Sequence, residues 1–295
     1  MTYPAGMESQ AAEPGRPVVR GTASDVSSMP QAERGPQGIN TSVPNVARIY
    51  DFLLGGKDNF AADRQAAAEL IRLVPNIVMA ANHNRKFLQR AVRFLAGEAG
   101  IRQFIDIGTG LPTQGSVHEI AQRYDPNSRV LYVDNDPVVI AHAQSLMADN
   151  ATVVAINRDL RRPDDILRHP ALRALINLDE PVAVLLVAIL HFIPDNEDPY
   201  GIVDEIKNAI PRGSYLVISH ATPDSVSPEV MKGIRQLYDR ATAPAAPRLP
   251  ADIERFFTGM NIIAPGLVDV SSWRNESMPS EPCPTIFYAG VGRKP

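Results

Sequence analysis

At 295 residues the chain is long enough to bury a substantial core, and its 44% hydrophobic and 21% charged content is ordinary for a globular protein. A formal charge of −4 gives no basic footprint for nucleic acid, and no apolar run reaches the length of a membrane span. The single cysteine, Cys283, excludes an intramolecular disulfide; with no secretory pattern at the N-terminus, a cytoplasmic location is expected.

Residues 1–43 hold five Pro, five Gly and five Ser, with Tyr3 as the only aromatic residue and no Leu or Phe. So little apolar surface cannot offset the entropy of ordering, and a disordered tail is predicted. From Pro44 onward Val46, Ile49, Tyr50 and Leu53 follow helical spacing, which Gly55-Gly56 stops. Two more helices are predicted over 58–74 and 82–96, giving a helical cap or lid over residues 44–98. From 103 the pattern alternates. Strands are predicted at 104–107, 130–133, 152–156, 182–188 and 215–219, with helices between them. Ser116 and Glu119 have the form of a capping box, and Asp198-Pro199 that of an N-cap followed by N1. Segments 262–263, 267–270 and 285–291 also read as strands. The last two are joined by a polar loop without a helix, as antiparallel neighbours allow.

Successive βα units predict a doubly wound, mostly parallel α/β sheet that binds its ligand beyond the carboxyl ends of the strands. Asp106, Asp134 and Asp159 follow the first three strands, each one βα unit from the next, and so fall along one edge of that sheet. Gly108 and Gly110, flanking Thr109, let the backbone turn sharply and approach a ligand. The third glycine of the dinucleotide fingerprint is missing; Pro112-Thr113 stands there instead. Asp106 would repel a pyrophosphate but suits a ligand carrying cationic groups, as the sulfonium and ammonium of S-adenosylmethionine are. Asp134 is suited to accept both ribose hydroxyls, Asp159 an adenine amino group, and Leu160 to supply a backbone donor and an apolar contact. The alternative is that each Asp only caps a helix or turns the chain; Asp136, just before Pro137, is the better helix cap.

With these residues in hand, 103–291 resembles a class I S-adenosylmethionine-dependent methyltransferase, through 104–110, 130–136, 157–160, 185–194 and 211–219. The run Arg48-Ile49-Tyr50-Asp51-Phe52-Leu53-Leu54-Gly55-Gly56-Lys57-Asp58-Asn59-Phe60, with Asn82-His83-Asn84-Arg85, is similar to an uncharacterised methyltransferase family over residues 44–295. The resemblance implies a seven-stranded, Rossmann-like sheet in a 99–295 domain ending in an antiparallel hairpin, and S-adenosylmethionine as cofactor. It also places Asn135 and Ala188 beside that cofactor. It implies no particular acceptor.

Methyl transfer from a sulfonium is an in-line displacement in which positioning supplies much of the rate, so a general base is not required. His191 and His220, beyond the fourth and fifth strands, are the candidate bases. Tyr50, Lys57, Asp58, Asn59 and Arg85 are the candidates on the cap side, with Lys57 or Arg85 pairing the cofactor carboxylate. Alternatively Gly55-Gly56 is a helix C-cap and Lys57-Asp58-Asn59 a solvated turn. Arg158, Arg161, Arg162 and Arg168 read as a solvated face, and Trp273 as packing. No metal site is expected. The expected function is methyl transfer to a small molecule, without nucleic-acid or membrane partners. A non-catalytic S-adenosylmethionine-binding protein and an NAD(P)-dependent oxidoreductase are the rival readings.

Overall fold

The computed structural model describes residues 39–112, 115–146, 150–275 and 285–295. The predicted disordered tail up to residue 38, Thr113 and Cys283 lie outside the described residues.

Five parallel strands, β1 (Gln103–Ile107), β2 (Arg129–Asp134), β3 (Val153–Asn157), β4 (Ala183–Val187) and β5 (Tyr215–Ala221), form the body of the sheet. The antiparallel β8 (Phe287–Arg293) pairs with β5 from Tyr215 opposite Arg293 to Ala221 opposite Phe287. The short strands β6 (Asn261–Ile262) and β7 (Val268–Asp269) pair with opposite ends of β8. The order is β3-β2-β1-β4-β5-β8-β6, with β7 also on β8. Eight strands therefore fill seven positions, because the segment Asn261–Asp269 leaves and rejoins one edge.

Between β1 and β4 the strand order reverses, and a doubly wound sheet opens its ligand crevice at that reversal. The strand pattern explains how both faces are covered. Phe104, Val130, Leu185 and Val217 face the N-terminal helices, while Ile105, Leu131, Val184 and Ile218 face the other side, and all eight are buried. The second face is covered by α6 (Pro163–Leu167), α7 (Pro170–Leu175) and α8 (Pro199–Ala209), each with proline in its first turn. The polar segment before α7, rich in Arg, Asp and Pro, forms the short helix α6.

On the first face lie α1 (Val46–Leu53), α2 (Ala61–Leu73), α3 (Ile77–Arg93), α4 (Val117–Tyr124) and α9 (Pro228–Tyr238). α5 (Pro137–Leu146) follows β2, and α10 (Pro250–Glu254) precedes the edge strands. Helix α1 is capped by Asn45, whose Oδ1 accepts from Ala47 N at 2.8 Å. The predicted capping box of α4 forms, with Ser116 N donating to Glu119 Oε2 at 3.0 Å. Helix α2 begins at Ala61 rather than 58, because the Asp51 carboxylate holds Asp58 N and Asn59 Nδ2 in a turn. The boundary drawn at residue 98 is one of chain order, not of packing. Phe87, Ala91, Val92 and Leu95 are sealed in the same core as the sheet face. Trp273 joins them edge-on to Phe87 at 5.5 Å between ring centroids.

Candidate active site

Beyond β1 the chain turns through Gly108-Thr109-Gly110, with φ of +72° at Gly108 and +65° at Gly110. A Cβ on Gly108 would stand 2.6 Å from the Ile189 side chain, so both conformation and space demand glycine there. Gly108→Ala is expected to lower unfolding free energy by about 1–3 kcal/mol and to weaken cofactor binding, read by urea titration and calorimetry. The turn is fixed by Gly108 N donating to Val133 O at 2.8 Å and Gly110 N to Asp134 Oδ2 at 3.0 Å. Thr109 donates its hydroxyl to Asp106 Oδ2 at 3.1 Å, so it orients a carboxylate.

Asp106 and Asp134 are both buried. Burial is the main cause that pushes each carboxyl up to about 6, and at Asp106 the neighbouring Asp134 adds to it against the field of Arg85. Asp134 Oδ1 accepts from Asp136 N at 2.9 Å, so each of its oxygens holds one backbone donor and keeps a lone pair. Asp136 caps α5 through Val138 N, as its place before Pro137 predicted, and also accepts from Arg48 Nε at 3.1 Å. Arg48 lies 3.6 Å from Asp63 as well, so one buried guanidinium fastens α1, α2 and the end of β2 together. After β3, Asp159 accepts from Asn135 Nδ2 at 3.3 Å and pairs with Arg161 at 3.4 Å. Arg161 is no member of a solvated face. It pairs with Glu197, donates to Phe192 O at 3.1 Å and lines the cleft.

The cap reaches the strand ends through a hydrogen-bond chain. Tyr50 Oη donates to Ala81 O at 3.1 Å and accepts from Asn84 Nδ2 at 2.8 Å. Asn84 Oδ1 accepts from Ser219 Oγ at 2.5 Å, and Ser219 Oγ accepts from Ala188 N at 3.0 Å. Ala188 has a φ of +57°, rare without glycine, and this bond helps hold it there. Arg85, the residue after Asn84 on α3, lines the same cleft.

The Gly-Gly-Lys-Asp-Asn-Phe run differs from its predicted role. Lys57 and Asp58 are exposed, and Asn59 is turned inward to Asp51 Oδ2 at 2.8 Å and Gly56 O at 3.1 Å. A Cβ on Gly56 would overlap the Asp51 carboxylate, which explains the second glycine. Asp58 lies 3.8 Å from His142. None of Lys57, Asp58 and Asn59 lines the cleft; the run is a self-satisfied turn after the C-cap of α1.

The histidines also depart from their predicted role. His220 is fully buried outside the cleft lining; its Nδ1 donates to Ala221 O at 2.7 Å and its Nε2 lies 3.1 Å from Arg248 Nη1. Burial, reinforced by Arg248, pushes it down to about 3, so it is neutral with both nitrogens engaged. His191, on a turn after β4 (Leu190–Phe192), does line the cleft. Its Nδ1 accepts from Ala221 N at 3.4 Å, and burial, then His220 and Arg248, hold it well below the ordinary histidine value. A neutral ring that accepts at Nδ1 carries its proton on Nε2. Neither histidine offers the free lone pair a general base needs.

These elements enclose a cleft of about 1310 Å³, counted to its open mouth. All nine predicted cofactor residues line it: Asp106, Gly108, Thr109, Gly110, Asp134, Asn135, Asp159, Leu160 and Ala188. Tyr50 and Arg85 join them from the cap. The sequence reading missed Tyr238, the last residue of α9, and Thr242 just beyond it, which close the cleft. Thr242 N donates to Pro44 O at 3.0 Å, and Arg240 pairs with Glu69 of α2 at 2.9 Å. No local signal marks these residues, since they meet the cap across almost 200 positions. Among the described residues there is no His/Cys/Asp/Glu cluster that could hold a metal ion, and no helix is long and apolar enough to cross a membrane.

A family model described as S-adenosyl methyltransferase matches residues 32–295. Among solved structures, the chain is similar to a DUF574 family protein from Streptomyces avermitilis MA-4680, with 39% identity and a TM-score of 0.82. That match covers 86% of this chain and 99% of the other. It is also similar to a candidate methyltransferase from Thermobifida fusca YX, with 40% identity, a TM-score of 0.82, and coverage of 88% and 98%. Nothing matches among curated proteins.

Proposed function

The chain belongs to the S-adenosyl methyltransferase family and is an S-adenosylmethionine-dependent methyltransferase; from that premise we propose that its acceptor is a small molecule enclosed beneath the N-terminal helices. The observation that carries this reading is the continuity of the cleft. It runs from Asp106 and Asp134 to Ile49, Leu70 and Tyr238 under a roof pinned by Thr242 and the Glu69–Arg240 pair. A roofed chamber admits a metabolite more readily than a protein or nucleic-acid segment. The oxidoreductase reading falls with the family, and so does the non-catalytic one.

The residues present fit the cofactor. A glycine turn adjoins two carboxylates whose ionised forms burial makes costly until a cation or hydroxyl donors arrive. Asp134 would take the ribose hydroxyls with its remaining lone pairs. Asp159 and Leu160 would meet the adenine, with Asn135 and Ala188 beside the nucleoside. Asp106 and Arg85 would meet the ammonium and carboxylate of the methionine end. Bound S-adenosylmethionine supplies an activated methyl group on a sulfonium. The protein's part is to orient the acceptor and exclude water. With no base on either histidine, the favoured acceptor brings its nucleophilic lone pair free. A single cysteine further supports a reducing, cytoplasmic setting.

The carboxylates make binding pH-dependent in a definite direction. Both titrate at about 6 in the free protein, and the ionised forms are those that bind. Affinity is therefore expected to be level above about pH 7 and to fall about tenfold per pH unit or more below about pH 6, with proton release on binding. Calorimetry with S-adenosylhomocysteine in buffers of different ionisation enthalpy measures both. The acceptor class is tested by supplying methyl-labelled S-adenosylmethionine and a cell extract split by ultrafiltration. Label is expected in the low-mass fraction; label confined to macromolecules would refute a small-molecule acceptor.

A further inference from the structure

The cleft has two chemically different halves. Its charged lining residues among those described, Arg85, Asp106, Asp134, Arg158, Asp159 and Arg161, come from the strand ends and α3. In the half beneath the cap the lining is apolar, with Ile49, Leu53, Leu70, Ile77, Leu88 and Phe192; the charged residue that the cap adds to the described lining, Arg85 of α3, acts on Asp106 at the strand ends. An ion brought among those apolar residues would lose its hydration without a partner.

The polar groups of that half are mostly spoken for. Tyr50 Oη both donates and accepts within the protein, and Thr242 Oγ1 accepts from Val46 N at 3.3 Å. His191 differs. Its Nδ1 faces Ala221 N, its ring packs against Phe192 at 4.3 Å and Phe287 at 5.7 Å, and its Nε2 has no protein partner among the described residues. His191 keeps 7% of its surface exposed and lines the cleft, from which that nitrogen can be reached. The Ala221 peptide sorts the two histidines: its N–H makes His191 an Nε2–H donor, while its carbonyl takes the Nδ1 proton of His220. The nearby Arg248 disfavours protonation of either ring.

We infer that His191 is a specificity-determining hydrogen-bond donor, and that the acceptor is an uncharged, largely apolar molecule presenting an oxygen or nitrogen lone pair to His191 Nε2. The inference rests on the small-molecule reading above. It reverses the role that a histidine beside a methyl-transfer site invites, because the ring gives a hydrogen bond and takes no proton.

Four ring compounds of similar size separate the outcomes when titrated into the protein saturated with S-adenosylhomocysteine. Quinoline only accepts a hydrogen bond, indole only donates one, naphthalene does neither, and 2-naphthoate is an anion. Quinoline is expected to bind about three- to tenfold more tightly than naphthalene, as one net hydrogen bond allows. Indole should gain nothing over naphthalene, and 2-naphthoate should bind most weakly. In His191→Phe, which keeps the ring packing, quinoline and naphthalene should become equal. His191→Gln, which keeps a donor, should restore part of the difference. Should His191→Phe misfold, shown by lost S-adenosylhomocysteine affinity, the wild-type ranking decides. Preference for indole, or equal binding of 2-naphthoate, overturns the donor role and the uncharged acceptor. If S-adenosylhomocysteine binds but all four compounds fail to bind, the enclosed small-molecule chamber itself is refuted.

Discussion

Replacing Asp106 by asparagine is expected to make the cofactor-free protein more stable at about pH 8 while removing most of its affinity for S-adenosylmethionine. The carboxyl titrates at about 6 in the fold against an ordinary 3.8, chiefly because it is buried. A raised carboxyl favours folding while it is protonated; that contribution is complete below about pH 4 and is lost as pH rises through about 6. Above that, ionised Asp106 costs the free protein about 3 kcal/mol, by the conversion of about 1.4 kcal/mol per pH unit. Asparagine removes the ionisation and can still accept from Thr109. Asp134 would be a poorer choice, because backbone donors occupy both its oxygens and an amide would set N–H against N–H. The mutant should match wild type only below about pH 4 and exceed it by about 1–3 kcal/mol near pH 8 in urea unfolding, with cofactor affinity down by about 2–3 kcal/mol. Equal stability of the two proteins across that range would show that burial does not strain this carboxylate. The local destabilisation is what the ligand relieves, as expected of a binding site that trades stability for function.

Arg48→Met is expected to produce the largest loss of stability of any single change near the cap, about 3–5 kcal/mol, because it strands two buried carboxylates. Asp63 is fully buried and Asp136 nearly so, and the Arg48 guanidinium is the cation that meets both. Methionine keeps an unbranched apolar stem of similar length and gives up the guanidinium and its place over the Phe60 ring, so the loss reports the charge more than a cavity. Replacing all three members with apolar residues should recover much of the loss, since a buried ion cluster often contributes little over well-packed side chains. Urea titration of the single and triple variants distinguishes a lost charge from lost packing.

The carboxylate series along the sheet edge was legible because topology fixes it. Once strands are spaced one βα unit apart, residues following their ends must share a crevice, and Asp106, Asp134 and Asp159 do. The capping box at Ser116 and the Asp198-Pro199 start of α8 were legible for a different reason, since their hydrogen bonds are local. What escaped was long-range. Ser219 and Asn84 are 135 residues apart and bond directly, and no periodicity announces such a pair. The Gly-Gly-Lys-Asp-Asn-Phe run was expected at the cleft and does not line it, because Asp51, the residue that organises it as a turn, gives no local sign of that role in the sequence. The histidines failed as bases for a related reason. Position beyond a strand end was readable, but a tautomer depends on which backbone group lies opposite, and here residues 191 and 220 share Ala221.

Because α3 is sealed into the sheet's own core through Phe87, Ala91 and Val92, the N-terminal helices cannot swing away together as a hinged door. Admission of ligands then falls to a smaller piece, the α1–α2 hairpin, whose Ile49, Leu53 and Leu70 line the cleft at the edge of that core. Amide protons of α1 and α2 should accordingly exchange as one cooperative unit, well before those of α3, and slow markedly when S-adenosylhomocysteine is added. Turnover would then be limited by breathing of two helices, and substitutions on their outer faces could change the rate without touching either substrate.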